Sequence, residues 1–476
     1  GKTASTTISA TFDKELTIAN PTRVGYTFAG WTATGLTTAT AKHGTTSANT
    51  AWNGTTATKN TKFVNLTSTD GGTVTVKANW TENNYTITFT GVYDSFVVKV
   101  VKADGTVRTT KTITSADNTI VVYYTEILTV GSIGVDKTPD GTTITKVTAG
   151  ANPTRLGYTL GNSDDKYFIV TTANAGWSRF DHYNDNWVND GSTQLSTVCL
   201  TWSHFTANAT AELLWTANAY TIKTVKNNGT ADDTYGATYD SSATEIPAPV
   251  KIGYTFKGWR VSGDLDTANA RWGTSATAVT GAVTGSTISA TGSIFVKNLS
   301  SKSGGTVTLT AIWEQHTYTI RANYNKNDQT EGKTYTATFD GDVTEIVAPH
   351  YDGYTFTGWA ITGDLDSTTA RWGTSATTVT TAVTSNTIIT GGTIYVKNLS
   401  STNGGTVTLS AQYTINRYTI TYVLDGGTNP ADAVTNYGIQ DGYTLPTPTR
   451  TGWTFIGWKV TKTEGNWELN KVRSEE

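Results

Sequence analysis

Two acidic pairs are the first residues with obvious chemical potential: Asp264 with Asp266 and Asp364 with Asp366, each in a Gly-Asp-Leu-Asp stretch. Strand-like alternation would put both members of a pair on one face, where a cation could bridge them. A turn carrying two solvated acids explains the same residues, since no further ligands are evident in the sequence. A second group lies in "AGWSRFDHYNDNWVNDG" from Ala175. There Asp181, Tyr183, Asp185, Trp187, Asn189 and Asp190 mix rings with acids and amides. That mixture suits sugar binding by stacking plus hydrogen bonds, or a cation site, although it does not follow the EF-hand spacing. A loop packed beside an altered core is the plain alternative.

Nothing else converges. His43, His182, His204, His316 and His350 are scattered without metal-ligand spacing, and there is no phosphate loop or nucleophile elbow. Cys199 sits among apolar residues in "LSTVCLTW", which reads as an inert buried thiol rather than a nucleophile. The expectation is a protein that is not an enzyme and uses no cofactor. Asn65, Asn298 and Asn398 each precede Leu and Ser or Thr, a glycosylation pattern that a threonine-rich chain also produces by chance.

The elements that would position these residues are written in the composition. About a fifth of the 476 residues are Thr, and charged residues make up 15%, against roughly 25% in ordinary soluble domains. Branched Thr fits a pleated strand and keeps the outer face wet, so the chain reads as mainly β, α+β at most. A net charge of −3 spread thinly argues against a nucleic-acid partner. The apolar stretches are too short to enter a membrane. No leader precedes Gly1, and without an initiator Met the chain reads as a processed or excised piece.

Self-similarity runs throughout. Pro21, Pro153, Pro249, Pro349 and Pro448 each stand four residues before a Gly that opens an aromatic strand. In "GYTFAGW" Tyr26 and Phe28 share a face, but Trp31 breaks the parity. Gly30 before it predicts a β-bulge that returns the indole to the core. By the same spacing Trp259, Trp359 and Trp458 read as core anchors, with ligand-stacking platforms as the alternative. Each unit opens on a strand such as "YTITF" from Tyr85 and closes on one such as "GGTVTLTAIW" from Gly304, which sends Val307, Leu309, Ala311 and Trp313 to one face.

These strands together, "YTITF…PTRVGYTFAGW…GGTVTVKANW", resemble the internalin-type B-repeat, or Listeria–Bacteroides repeat, of bacterial surface proteins. The resemblance implies small β-grasp-like domains with a short helical or irregular crossing before the last strand. That crossing would hold Trp52 and Phe63, Trp272 and Phe295, or Trp372 and Tyr395. Long Thr/Ser/Gly insertions such as "ATAVTGAVTGSTISATGS" depart from the family pattern and read as added strands or as surface loops.

The units fall at residues 1–80, 81–217 (divergent, with the insertion), 218–315, 316–415 and 416–476. Four residues separate each closing strand from the next opening strand, and no separator is a Gly/Ser linker. Constant spacing predicts head-to-tail stacking into an elongated rod. The first unit lacks the opening strand and the last lacks the closing one. Strand addition between subunits would complete both, and a piece of a longer array explains them equally well. The leading expectation is an extracellular or cell-surface stalk or building block of a fibre or layer, with itself or other cell-surface proteins as partners. The alternatives are an adhesin, with a host or neighbouring-cell receptor or glycan at the second unit, and a spacer within a larger surface enzyme.

Overall fold

The computed structural model describes residues 5–132, 134–161, 168–172, 178–181, 186–188, 194–195, 199–201, 207–325 and 332–459; for 168–201 only the backbone is described. The described residues form strands and turns without a helix.

The third and fourth units show the complete design. In the third, the opening strand Ala219–Val225 pairs in parallel with the closing strand Thr306–Gln315, Ile222 facing Val307. The antiparallel strand Thr234–Thr238 lies on its other side. The aromatic strand Tyr254–Gly263 covers the far edge of the closing strand, and Thr287–Ser289 completes a five-stranded sheet. A four-stranded sheet, built from Thr244–Ile246, Ile294–Lys297, Arg271–Gly273 and Gly281–Ala282, faces it. The fourth unit repeats both sheets strand for strand.

Between the sheets Ile222, Trp259, Ile246, Ile294, Val307 and Leu309 are fully buried. The Thr residues that alternate with them keep the outer face polar. The bulge forms as the glycine predicts: the register slips between Phe256 and Gly258, where φ is +128°. A Cβ on Gly258 would lie 2.0 Å from the Ile288 carbonyl, so only glycine fits.

Two expectations change here. The crossing is neither helical nor irregular: Trp272 and Phe295 sit on strands of the second sheet, which takes a helix's place over the core. The β-branched composition of this segment favours that pairing. Of the inserted stretches, Thr287–Ser289 and Ile294–Lys297 are strands, whereas the residues around Ala278 form a turn and the short strand there is Gly281–Ala282.

The first unit has the smaller sheet and the aromatic–closing pair, Tyr26–Thr34 with Thr75–Glu82. The second is a larger sandwich, whose five- and six-stranded sheets enclose Ile87, Phe89, Val98, Val100, Ile113 and Leu128. It keeps the parallel opening–closing contact, Asn84–Thr90 with Ala209–Leu213. The array is elongated. Its accessible surface is 26960 Å², against roughly 17,000 Å² for a compact monomer of this mass.

Candidate functional site: the junctions between units

One contact recurs four times, and it lies between units. At three junctions a single residue, Asn83, Asn218 or His316, separates the strand that ends one unit from the opening strand of the next; at the fourth, Asn416 and Arg417 do. The amide of the asparagine or histidine donates to the carbonyl of the glycine that starts the preceding unit's aromatic strand. The pairs are Asn83 to Gly25, Asn218 to Gly157, His316 to Gly253 and Asn416 to Gly353, all at 2.9 Å.

Side chains complete the clamp. Thr27, Thr159 and Thr355 donate their hydroxyls to the Oδ1 of Asn83, Asn218 and Asn416, while Thr255 meets Nε2 of His316 at 2.8 Å. Asn218 also donates to the Ser301 carbonyl at 2.6 Å, and Nδ1 of His316 donates to that of Ser401 at 2.6 Å. Asn218 and His316 thus tie the unit before them to the loop ahead of the next closing strand.

An apolar side chain from the following unit covers the glycine. Tyr124, Tyr239, Phe339 and Ile439 occupy the space where a Cβ on Gly25, Gly157, Gly253 or Gly353 would stand, 2.1–2.6 Å away. The glycines have φ between +73° and +78°, so both backbone and neighbour exclude a side chain. In the first three junctions the ring meets Tyr26, Tyr158 or Tyr254 edge to face, with centroids 6.0–6.1 Å apart. Arg23, Arg155 and Lys251 lie over the outer faces of these tyrosines at 3.6–3.9 Å.

An Asn–Asp clasp links the junction to the unit interior. The Asp240 amide donates to Oδ1 of Asn298 at 2.7 Å, and Nδ2 of Asn298 donates to Oδ1 of Asp240 at 2.8 Å. Both residues have positive φ, which Asn and Asp tolerate better than most. Asp13 with Asn65 and Asp340 with Asn398 repeat the clasp. The amides of the three Asn-Leu-Ser/Thr sequences are therefore occupied within the fold.

The acidic pairs are used separately. Asp264 binds Nζ of Lys302 at 2.9 Å and the Thr306 amide at 3.0 Å, which together hold its carboxyl below the usual range. Asp266 instead accepts the amides of Ala268 and Asn269 and fixes the turn after the aromatic strand. Asp364 and Asp366 repeat this arrangement with Thr406 and Thr368. Among the described residues no three His, Cys, Asp or Glu side chains are placed to hold a metal.

In the second unit Ser178–Asp181 and Asn186–Val188 form a hairpin, with Phe180 opposite Trp187 in register. The side chains of Asp181 and Trp187 lie outside the described residues, as do Tyr183, Asp185, Asn189 and Asp190.

Trp31, Trp259 and Trp359 are buried. Trp313 is half-buried and packs against the core of its unit, and Trp458 is half-buried. Their indole N–H groups reach the Lys226 and Pro446 carbonyls, so the polar edge of each ring stays outside the apolar interior.

The family model of the Listeria-Bacteroides repeat domain matches residues 1–52, 220–284, 318–395 and 418–473, together more than half of the chain. The chain belongs to this family. The divergent second unit lies outside the matched segments. Two proteins of Evansella cellulosilytica, named as a membrane protein and a Gly-rich membrane protein, are each 24% identical over 244 residues, or 51% of this chain. The chain spans about a quarter of their length, 28% and 22% respectively. Among solved structures, the major pilin of Streptococcus pyogenes and a point mutant of it align with 69% of this chain and 96–97% of theirs, at 10% identity. Their TM-scores of 0.13 and 0.14 mark no common fold. No helix among the described residues is long and apolar enough to cross a membrane, which says nothing of β-barrels.

The clasp and the junction apolar residue of this Listeria-Bacteroides repeat array escaped the sequence reading, although both leave a signal. "TFD" and "TYD" recur before "NLT" or "NLS", and the ring in those triplets is Phe12, Tyr239 or Phe339. The aspartate and asparagine looked unrelated because 52 or 58 residues separate them.

Proposed function

We propose that this chain is a structural segment of a bacterial surface protein, a stiff non-enzymatic rod that acts as a stalk or as the building block of a fibre or layer. The junction carries this reading. Its glycine, the junction amide bonded to that glycine's carbonyl and the covering side chain recur four times, so each unit is held at one repeated orientation rather than hung on a flexible linker. The membrane-protein names of the two Evansella cellulosilytica relatives fit a chain held at a cell envelope.

Negative-stain electron microscopy of dilute protein tests the reading. Single straight particles are expected, about 165 Å long for five units at roughly 33 Å per unit for strands of this length. Particles that bend freely between units, or compact globules, would overturn it.

A further inference from the structure

We propose that Tyr351 and Tyr354 form an oxidative cross-linking site, at which a one-electron oxidant joins the two rings by a carbon–carbon bond. The pair belongs to the fourth unit, in the turn that leads into its aromatic strand. The Tyr354 amide donates to the Tyr351 carbonyl at 3.1 Å, and Gly353 inside the turn has φ +77°. A β-turn of this kind brings its first and last residues close together. Here their rings lie parallel, with centroids 4.3 Å apart and 8° between the planes.

The arrangement is peculiar to this unit. At the place of Tyr351 the first three units carry Arg23, Arg155 and Lys251, whose cations cover the corresponding tyrosines. The other tyrosine–tyrosine ring contacts among the described residues are tilted or edge to face, at 40–77° and 5.4–6.2 Å. Tyr413 meets both stacked rings edge to face, and its hydroxyl donates to the Tyr324 carbonyl at 2.7 Å. Tyr351 and Tyr354 are half-buried and their neighbours His350 and Asp352 are exposed, so a small oxidant reaches the pair.

Burial pushes the Tyr354 phenol above its ordinary pKa, and the Tyr351 phenol beside it adds to the rise. At neutral pH the ring therefore keeps its proton, and electron and proton leave together. Each tyrosine gives one electron and its phenolic proton to hydrogen peroxide, by way of a haem peroxidase, and the peroxide leaves as two waters. The two radicals carry spin on the carbons ortho to oxygen. They couple there into one bond, and the hydrogens on those carbons move to the oxygens and restore both phenols. The stack holds the partners together beforehand, which favours this internal bond over coupling between molecules. The product encloses Gly353, whose carbonyl accepts the Asn416 amide, and so fixes the turn at the fourth junction.

The test oxidises the dilute chain with a haem peroxidase and hydrogen peroxide. Dityrosine fluorescence should rise while the chain stays monomeric on a denaturing gel. Peptide mapping should find the bond within the peptide that contains Tyr351 and Tyr354, lighter by two hydrogen atoms. Tyr351→Phe keeps a ring in the stack but removes a phenol, and Tyr351→Arg installs the side chain of the first two units; both should lose the signal. Tyr418→Phe, which removes a phenol 42% exposed outside the stack, should keep it. The map of the parent chain decides the question even where a variant misfolds. Absence of dityrosine, coupling of another pair first, dimers formed ahead of the internal bond, or an undiminished signal in Tyr351→Phe would overturn the proposal.

Discussion

Tyr254 and Asp340 belong to successive units, and the tyrosine hydroxyl donates to Oδ2 of the aspartate at 3.1 Å. Oδ1 of the same carboxylate accepts from Asn398. One side chain therefore joins the surface of one unit to the inner loop of the next. Tyr158 and Asp240 do the same one junction earlier, at 3.0 Å.

Gly253→Val should uncouple the third and fourth units. Its Cβ would fall 2.2 Å from the Phe339 ring on a backbone at φ +73°. The backbone strain alone costs on the order of 1–3 kcal/mol. Calorimetry should resolve separate transitions for these two units where the parent is expected to melt them together, while Ile252→Ala beside it, at an exposed position, should leave the melt unchanged.

Trp259→Ala and Trp359→Ala should each destabilise their own unit by about 3–5 kcal/mol, the scale for emptying a large aromatic from a core. The indoles are 0% and 1% exposed. Denaturant titration followed by fluorescence gives the number. An unshifted midpoint would mean that the rings are accessible after all.

The indole N–H groups of Trp259 and Trp359 are buried without a hydrogen-bond partner, whereas that of Trp31 donates to Oδ1 of Asn20 at 3.2 Å. The residue before the turn proline is Asn20 in the first unit and Ala248 or Ala348 in the third and fourth. Asn20→Ala should cost about 1–3 kcal/mol by orphaning a buried donor. Ala248→Asn should raise the midpoint of the third unit by supplying the acceptor.

The first unit should weaken in mild acid. Nδ1 of His43 accepts from Asn60 at 2.7 Å and from Thr58 at 2.9 Å, and burial lowers its pKa below 6.5. Above 6.5 both folded and unfolded forms hold it neutral, so its contribution is intact. As pH falls below 6.5 the unfolded chain takes up the proton first, and stability drops until the lowered folded pKa is passed. Melts across this range should show the decline, and His43→Gln should flatten it.

The strands were legible because their period of two survives in every copy. Gly30, Gly258 and Gly358 announced the bulge that turns Trp31, Trp259 and Trp359 inward. The crossing was misjudged because a run of Thr and Val bounded by glycines states strand propensity without stating which sheet the strand joins. Tyr239 on Gly157, or Asp240 against Asn298, could not be read locally: each pairs residues more than fifty positions apart, and nothing in the intervening sequence records the distance.

The parallel pairing of opening and closing strands also determines how the array bears a pull. Tension along the chain enters a unit at the start of its opening strand and leaves at the end of its closing strand. The two strands are thus drawn past one another lengthwise. Their rungs, from Thr221 with Thr306 to Val225 with Thr310, lie across that direction and are loaded together rather than opened one by one. Forced unfolding is set by the rate of crossing that shared barrier. A unit of modest equilibrium stability, repeated in series, can then resist being stretched far longer than its free energy alone would indicate.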